Sequence, residues 1–108
     1  MLRVRWSNHT RADFLRITSF WLEQEPGLLP AVVSALRKRV AWIADGHHLL
    51  GTPIGDEVKG YRWCLDREYG YKIYYRIEGD PPDTVGVIAI RHGRQRPLKA
   101  STLRKHTR

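Results

Sequence analysis

The sequence predicts an α+β domain with the element order βααβββ, and three observations carry that prediction. Residues 2–6 alternate apolar and basic, residues 10–45 hold two apolar stripes at helical spacing, and three strand-like runs occupy most of 61–90. In the first run Leu2, Val4 and Trp6 share one face and Arg3 and Arg5 the other, the period-two pattern of a half-buried strand. Thr10 with Asp13 three residues on approximates a capping box. Phe14, Ile17 and Trp21 then recur at helical spacing, with Leu15 and Leu22 widening the stripe, so a first helix is expected over about 10–24.

Gly27 interrupts this helix, and Pro30 suits the first turn of a second one. Val33, Leu36, Val40 and Ile43 form its apolar stripe, and Asp45-Gly46 closes it. So short a link implies an antiparallel helical hairpin, with Arg37, Lys38 and Arg39 turned largely outward. Strand alternation returns with Tyr61, Trp63 and Leu65 against Arg62, Cys64 and Asp66. After a turn at 67–70, Tyr71, Ile73, Tyr75 and Ile77 alternate with Lys72, Tyr74, Arg76 and Glu78. The two runs read as a hairpin with one apolar face. Beyond "EGDPPD", Val85 to Ile90 is apolar on both faces except at Gly86, as expected of a central strand covered on two sides.

Composition narrows the function classes. A chain of 108 residues, 42% apolar, suffices for one domain with a single modest core. Lys and Arg number 19 against 11 Asp and Glu, a formal charge of +8, which favours an anionic partner: nucleic acid, an acidic protein or a membrane surface. The lone Cys64 can make no intrachain disulfide and no zinc cluster, which fits a reducing cytosol. "MLRVRWSNHT" lacks the apolar stretch of a signal peptide and no run approaches a membrane span, so a soluble cytoplasmic chain with no membrane partner is expected. His47-His48 has no acidic or cysteine companion at ligand spacing, so no metal is expected, and nothing implies a cofactor. Trp6, Trp21, Trp42 and Trp63 fall on apolar faces and read as core. The basic tail 97–108 is open to two readings, a solvated end or a contact surface.

Over about residues 3–96 the chain resembles the RelE/ParE superfamily of type II toxin-antitoxin toxins. The likeness rests on the opening strand, "ADFLRITSFW", "AVVSALRKRVAWI", "LLGTPIGDEVKGYR" with Pro53 and Gly55, "YKIYYRIEGD" and "VIAIRHGR", in that order and spacing. It implies a small twisted, antiparallel-rich sheet packed against the N-terminal helical hairpin, with 1–96 as the single toxin domain. It also implies a cognate antitoxin, wrapped around the toxin in a hetero-oligomer.

The resemblance gives the basic residues an expected role. Lys72 and Arg76 alternate outward, and Arg62 is expected beside them on the neighbouring strand. Arg91, His92, Arg94 and Arg96 follow the last strand, with Gly93 bending the backbone and His92 chiefly orienting the strand end. Together these seven residues form the expected target-binding surface. The superfamily divides into a branch that poisons DNA gyrase and a branch that cleaves messenger RNA on the ribosome. Arg62, Lys72 and Arg76 lie on strands where the ribonuclease branch places basic catalytic residues, and Arg94 lies close to that branch's arginine after the last strand. That branch commonly has a late tyrosine, whereas here none follows Tyr75. "HGR" is more similar to the gyrase-directed ParE branch, the favoured expectation. The ribonuclease is the first alternative, and a non-toxic basic nucleic-acid-binding module is the second.

Overall fold

The computed structural model describes residues 1–55 and 60–108. Its elements are β1 (Arg3–Trp6), α1 (Asn8–Gln24), α2 (Leu29–Trp42), β2 (Thr52–Pro53), β3 (Tyr61–Leu65), β4 (Tyr71–Glu78), β5 (Thr84–His92) and α3 (Ala100–Lys105). The strands form one sheet in the order β1-β5-β4-β3-β2, parallel between β1 and β5 and antiparallel elsewhere. The predicted α+β class and its six elements are present, and β2 and α3 are additional. β2 lies in the segment read as a link, where Pro53 is tolerated because the strand is at the edge. Residues 56–59 of the motif "LLGTPIGDEVKGYR" lie outside the described residues.

Helix α1 starts two residues earlier than predicted, and its cap differs from the expected one. Ser7 is the N-cap, its Oγ accepting from the Thr10 amide at 3.1 Å. The hydroxyls of Ser7 and Thr10 also donate to the carbonyls of Ile88 and Val87. Asp13 is buried and accepts the Ile90 amide at 2.9 Å. The reason lies in sheet length: β1 ends at Trp6, so the β5 edge beyond Val87 has no strand beside it. Side chains of α1 occupy that place and satisfy its buried polar groups.

One core lies between helices and sheet, where Ile17, Val32, Leu36, Val40 and Ile43 meet Ile73, Tyr75, Val85, Val87 and Ile90. Trp6, Trp21 and Trp42 pack at its margin. Leu15 and Leu22, expected to widen the α1 stripe, are instead exposed. Asp45-Gly46 does end the second helical segment, with Gly46 at φ +85°. Arg39 does not face solvent freely: its guanidinium lies 4.2 Å from the Trp42 ring centroid and donates to the Leu65 carbonyl.

A second, smaller core covers the opposite face of the sheet. Leu98 and Leu103 of the C-terminal segment bury Tyr61, Tyr74, Ile88 and Ala89, with Trp63 and Ile54 at the edge. The tail is therefore packed on the chain's own sheet. It supplies the second cover that the two-sided apolar pattern of β5 required. Tyr61 and Trp63 consequently lie on this outer face, not with Ile73 and Tyr75 under the helices. The paired positions Leu65 and Lys72 are separated by a six-residue connection, so odd residues of β3 stand opposite even residues of β4. Asp66 holds that turn by accepting the Glu68 and Tyr69 amides.

Candidate target-binding surface

Strand register decides which basic residues stand together. Residues directly opposite in an antiparallel pair point to the same face, and Arg62 is opposite Tyr75. Arg62 therefore faces the helix side, where its Nη1 donates to the carbonyls of Leu49 at 3.2 Å and Gly51 at 2.7 Å. This corrects the expected grouping: Arg62 holds the 48–51 turn and does not stand beside Lys72 and Arg76. Tyr75 supports the same turn, its hydroxyl donating to the His48 carbonyl at 2.6 Å. Burial pushes that hydroxyl up to about 12, so it remains a donor. A side chain at Gly51 would run into the Tyr75 ring.

Lys72 and Arg76 are on the outer face as predicted, in different surroundings. Lys72 Nζ lies 4.4 Å from the Trp63 ring centroid, and Lys72 is opposite both Leu65 and Arg91. Arg76 donates to Glu78 at 3.0 Å and to the Tyr61 hydroxyl at 3.3 Å, while its buried Nε has no partner among the described residues. Arg5 reaches the same carboxylate through two bonds of 2.8 and 2.7 Å. It does so across Gly86, where a Cβ would lie 2.8 Å from Arg5 Nη2 and 2.9 Å from Glu78 Cδ. The Arg5 guanidinium holds the Glu78 carboxyl below the usual carboxylate range, opposed by partial burial and assisted by Arg76. Arg76 is thus largely neutralised. Arg5 and Glu78, missed as a site, were legible only as the polar side of two alternating strands.

A bulge places the basic residues at the end of β5. Tyr74 pairs with Ala89 and Tyr75 with Val87, leaving Ile88 as an extra residue. Beyond it the alternation shifts by one. Arg91 emerges on the outer face opposite Lys72, whereas His92 turns to the helix side, edge-on to Tyr71 at 5.5 Å. Among the described residues, neither Lys72 nor Arg91 has an acidic partner within salt-bridge distance.

His92 takes part in the following turn. Its amide donates to Gln95 Oε1, and its Nδ1 accepts the Arg94 amide at 3.2 Å. Gly93 serves close approach instead of an unusual bend: its amide bonds the Gly70 carbonyl at 2.7 Å, and a Cβ there would sit 3.1 Å from that oxygen. Arg94 and Arg96 are exposed.

Arg91, His92 and Arg94 border a cleft of about 810 Å³ between α1, the end of β5 and α3. Arg16, Arg91 and Arg94 line it, with Trp21 and Tyr69 in its wall. Its acidic member, Asp13, is already engaged by Arg16 and the Ile90 amide. The cleft is therefore cationic and concave, whereas Arg96 is not among its lining residues. The described residues contain no group of three or more His, Cys, Asp or Glu placed to hold a metal. No helix among them is long and apolar enough to cross a membrane.

Comparison with known proteins agrees with this architecture. Residues 4–97 match the family described as the ParE toxin of the type II toxin-antitoxin system, parDE. No curated protein matches the chain. Among solved structures, a chain of the chromosomal ParDE toxin-antitoxin system from P. aeruginosa has the same fold, with a TM-score of 0.68 at 17% identity over 85% of this chain and 96% of that one. With the family match spanning nearly the whole sheet-and-hairpin body, the chain belongs to the ParE toxins of type II toxin-antitoxin systems.

Proposed function

We propose that this toxin arrests growth by inhibiting DNA gyrase through the basic end of β5. The observation that carries the reading is the bulge-directed pairing of Arg91 with Lys72, near Arg94, where no acid among the described residues lies within salt-bridge distance of the three. Unpaired charges on a rim steer encounter with an anionic surface and form charge-assisted contacts on docking. A cognate antitoxin is the second partner. Helix α1 exposes Leu15, Phe20 and Leu22 on a chain of formal charge +8, which suits an acidic amphipathic antitoxin segment.

The messenger RNA endonuclease reading is weakened by two placements. Arg62 lies on the opposite face from Lys72, and Arg76 is committed to Glu78. A gyrase supercoiling assay with purified toxin separates the readings. Inhibition by the parent, reduced at least about tenfold in a Lys72→Ala, Arg91→Ala, Arg94→Ala variant whose stability changes by no more than about 1.5 kcal/mol, is expected from three surface substitutions. Intact supercoiling together with cleavage of ribosome-bound messages would sink the proposal.

A further inference from the structure

The C-terminal segment is fastened to α1 by a pair of histidines. The rings of His9 and His106 stack with centroids 3.5 Å apart and planes 9° from parallel. His106 Nδ1 is buried, with no hydrogen-bond partner among the described residues. The remaining fastenings involve no imidazole: Leu103 is buried, Thr107 Oγ1 meets the Tyr61 hydroxyl at 2.9 Å, the Asn8 amide donates to the main-chain oxygen of Arg108, and the Leu98 amide donates to the Tyr74 hydroxyl.

We propose that the stacked His9 and His106 rings form an acid-released clamp, which holds the C-terminal segment over the outer face of the sheet when neutral and frees it when both rings are protonated.

The charges around the pair support this direction. His9 Nε2 lies 3.4 Å from Asp13 Oδ2, so the protein has a counter-charge for one proton. Asp13 already serves the Ile90 amide and Arg16. Among the described residues, the other charged groups that act on His106 include the cations Arg91 from β5 and Lys105 from the end of α3. Arg16, Arg94 and His92 line the same cleft. A second proton therefore places like charges face to face within a cationic ring. Burial, then His9, with smaller contributions from Arg91 and Lys105, holds His106 below the ordinary imidazole range, and Asp13 opposes them. A depressed imidazole favours the closed clamp above its unfolded-state value near 6.5, and that contribution is lost as pH falls through the folded value. Release bares Tyr74, Ile88 and Ala89, which the segment now buries. It also removes one wall of the cleft, formed by Leu98, Thr102 and His106.

Amide hydrogen exchange on the full chain at about pH 7.5 and about pH 5, corrected for intrinsic rates, tests the clamp. Protection of Leu103 and His106 is expected to fall by at least about tenfold at the acid pH, while Ile73 and Tyr75 in β4 keep theirs. His106→Phe preserves a stacked ring that cannot charge, and should retain tail protection at both pH values. His9→Phe makes the same test from the α1 side if the first variant does not fold. Equal protection of the parent tail at both pH values overturns the proposal. So does acid loss that persists in the phenylalanine variant, or loss that spreads equally to β4.

Discussion

Replacing Asp13 by alanine should destabilise the toxin by about 1–4 kcal/mol, although the residue lies on the surface helix α1. Asp13 is 4% exposed, and its carboxylate is the partner of the Ile90 amide on the β5 edge that β1 leaves uncovered. Alanine would orphan that amide inside the protein, at about 1–3 kcal/mol. The exposed partner Arg16 adds no more than about 1 kcal/mol. For a domain of this size the sum corresponds to a melting-point loss of roughly 5–25 °C. Asp13→Asn supplies the contrast, since its carbonyl can still accept the Ile90 amide while the charge is lost; about 1 kcal/mol is expected. Urea denaturation and thermal melting of both variants decide the matter. If alanine is tolerated within about 0.5 kcal/mol, α1 does not complete the sheet edge. If asparagine is as damaging as alanine, charge instead of the hydrogen bond is the relevant property.

Gly86→Ala should displace the Arg5–Glu78 bridge at a cost of about 1 kcal/mol. Because the folded Glu78 carboxyl is depressed, its contribution is present above the ordinary carboxylate value and lost as pH falls through the folded one. The variant's stability should accordingly fall less steeply than the parent's below about pH 4.5, as measured by denaturation across pH. Arg62→Ala should lower stability by about 1–2 kcal/mol through the loss of its bonds to Leu49 and Gly51, while gyrase inhibition per folded molecule stays at the parent level. Reduced inhibition by a fully stable Arg62→Ala protein would return that residue to the target surface. Ile43→Ala should cost about 2–5 kcal/mol in urea denaturation, since Ile43 is fully buried beneath the sheet; an unchanged midpoint would contradict that packing.

The sequence by itself determined the helices, the main strands and the two-sided burial of β5, because local periodicity reports burial in neighbouring residues. It also placed Lys72 and Arg76 outward and brought the basic cluster to the end of the last strand. Tertiary structure decided their partners. An even-length connection reversed the parity between β3 and β4, carrying Arg62 to the helix side and Trp63 to the outer face. One extra residue at Ile88 set Arg91 beside Lys72 and turned His92 inward. The apolar residues of the C-terminal segment were visible, but their function as the outer cover depended on a face of Tyr74, Ile88 and Ala89 assembled from two strands. Likewise, Asp13 suggested a helix cap until the shortness of β1 left an edge for it to satisfy. Periodicity is set within a few residues of chain, whereas register, bulges and edge satisfaction depend on segments distant in sequence that meet only in the folded protein.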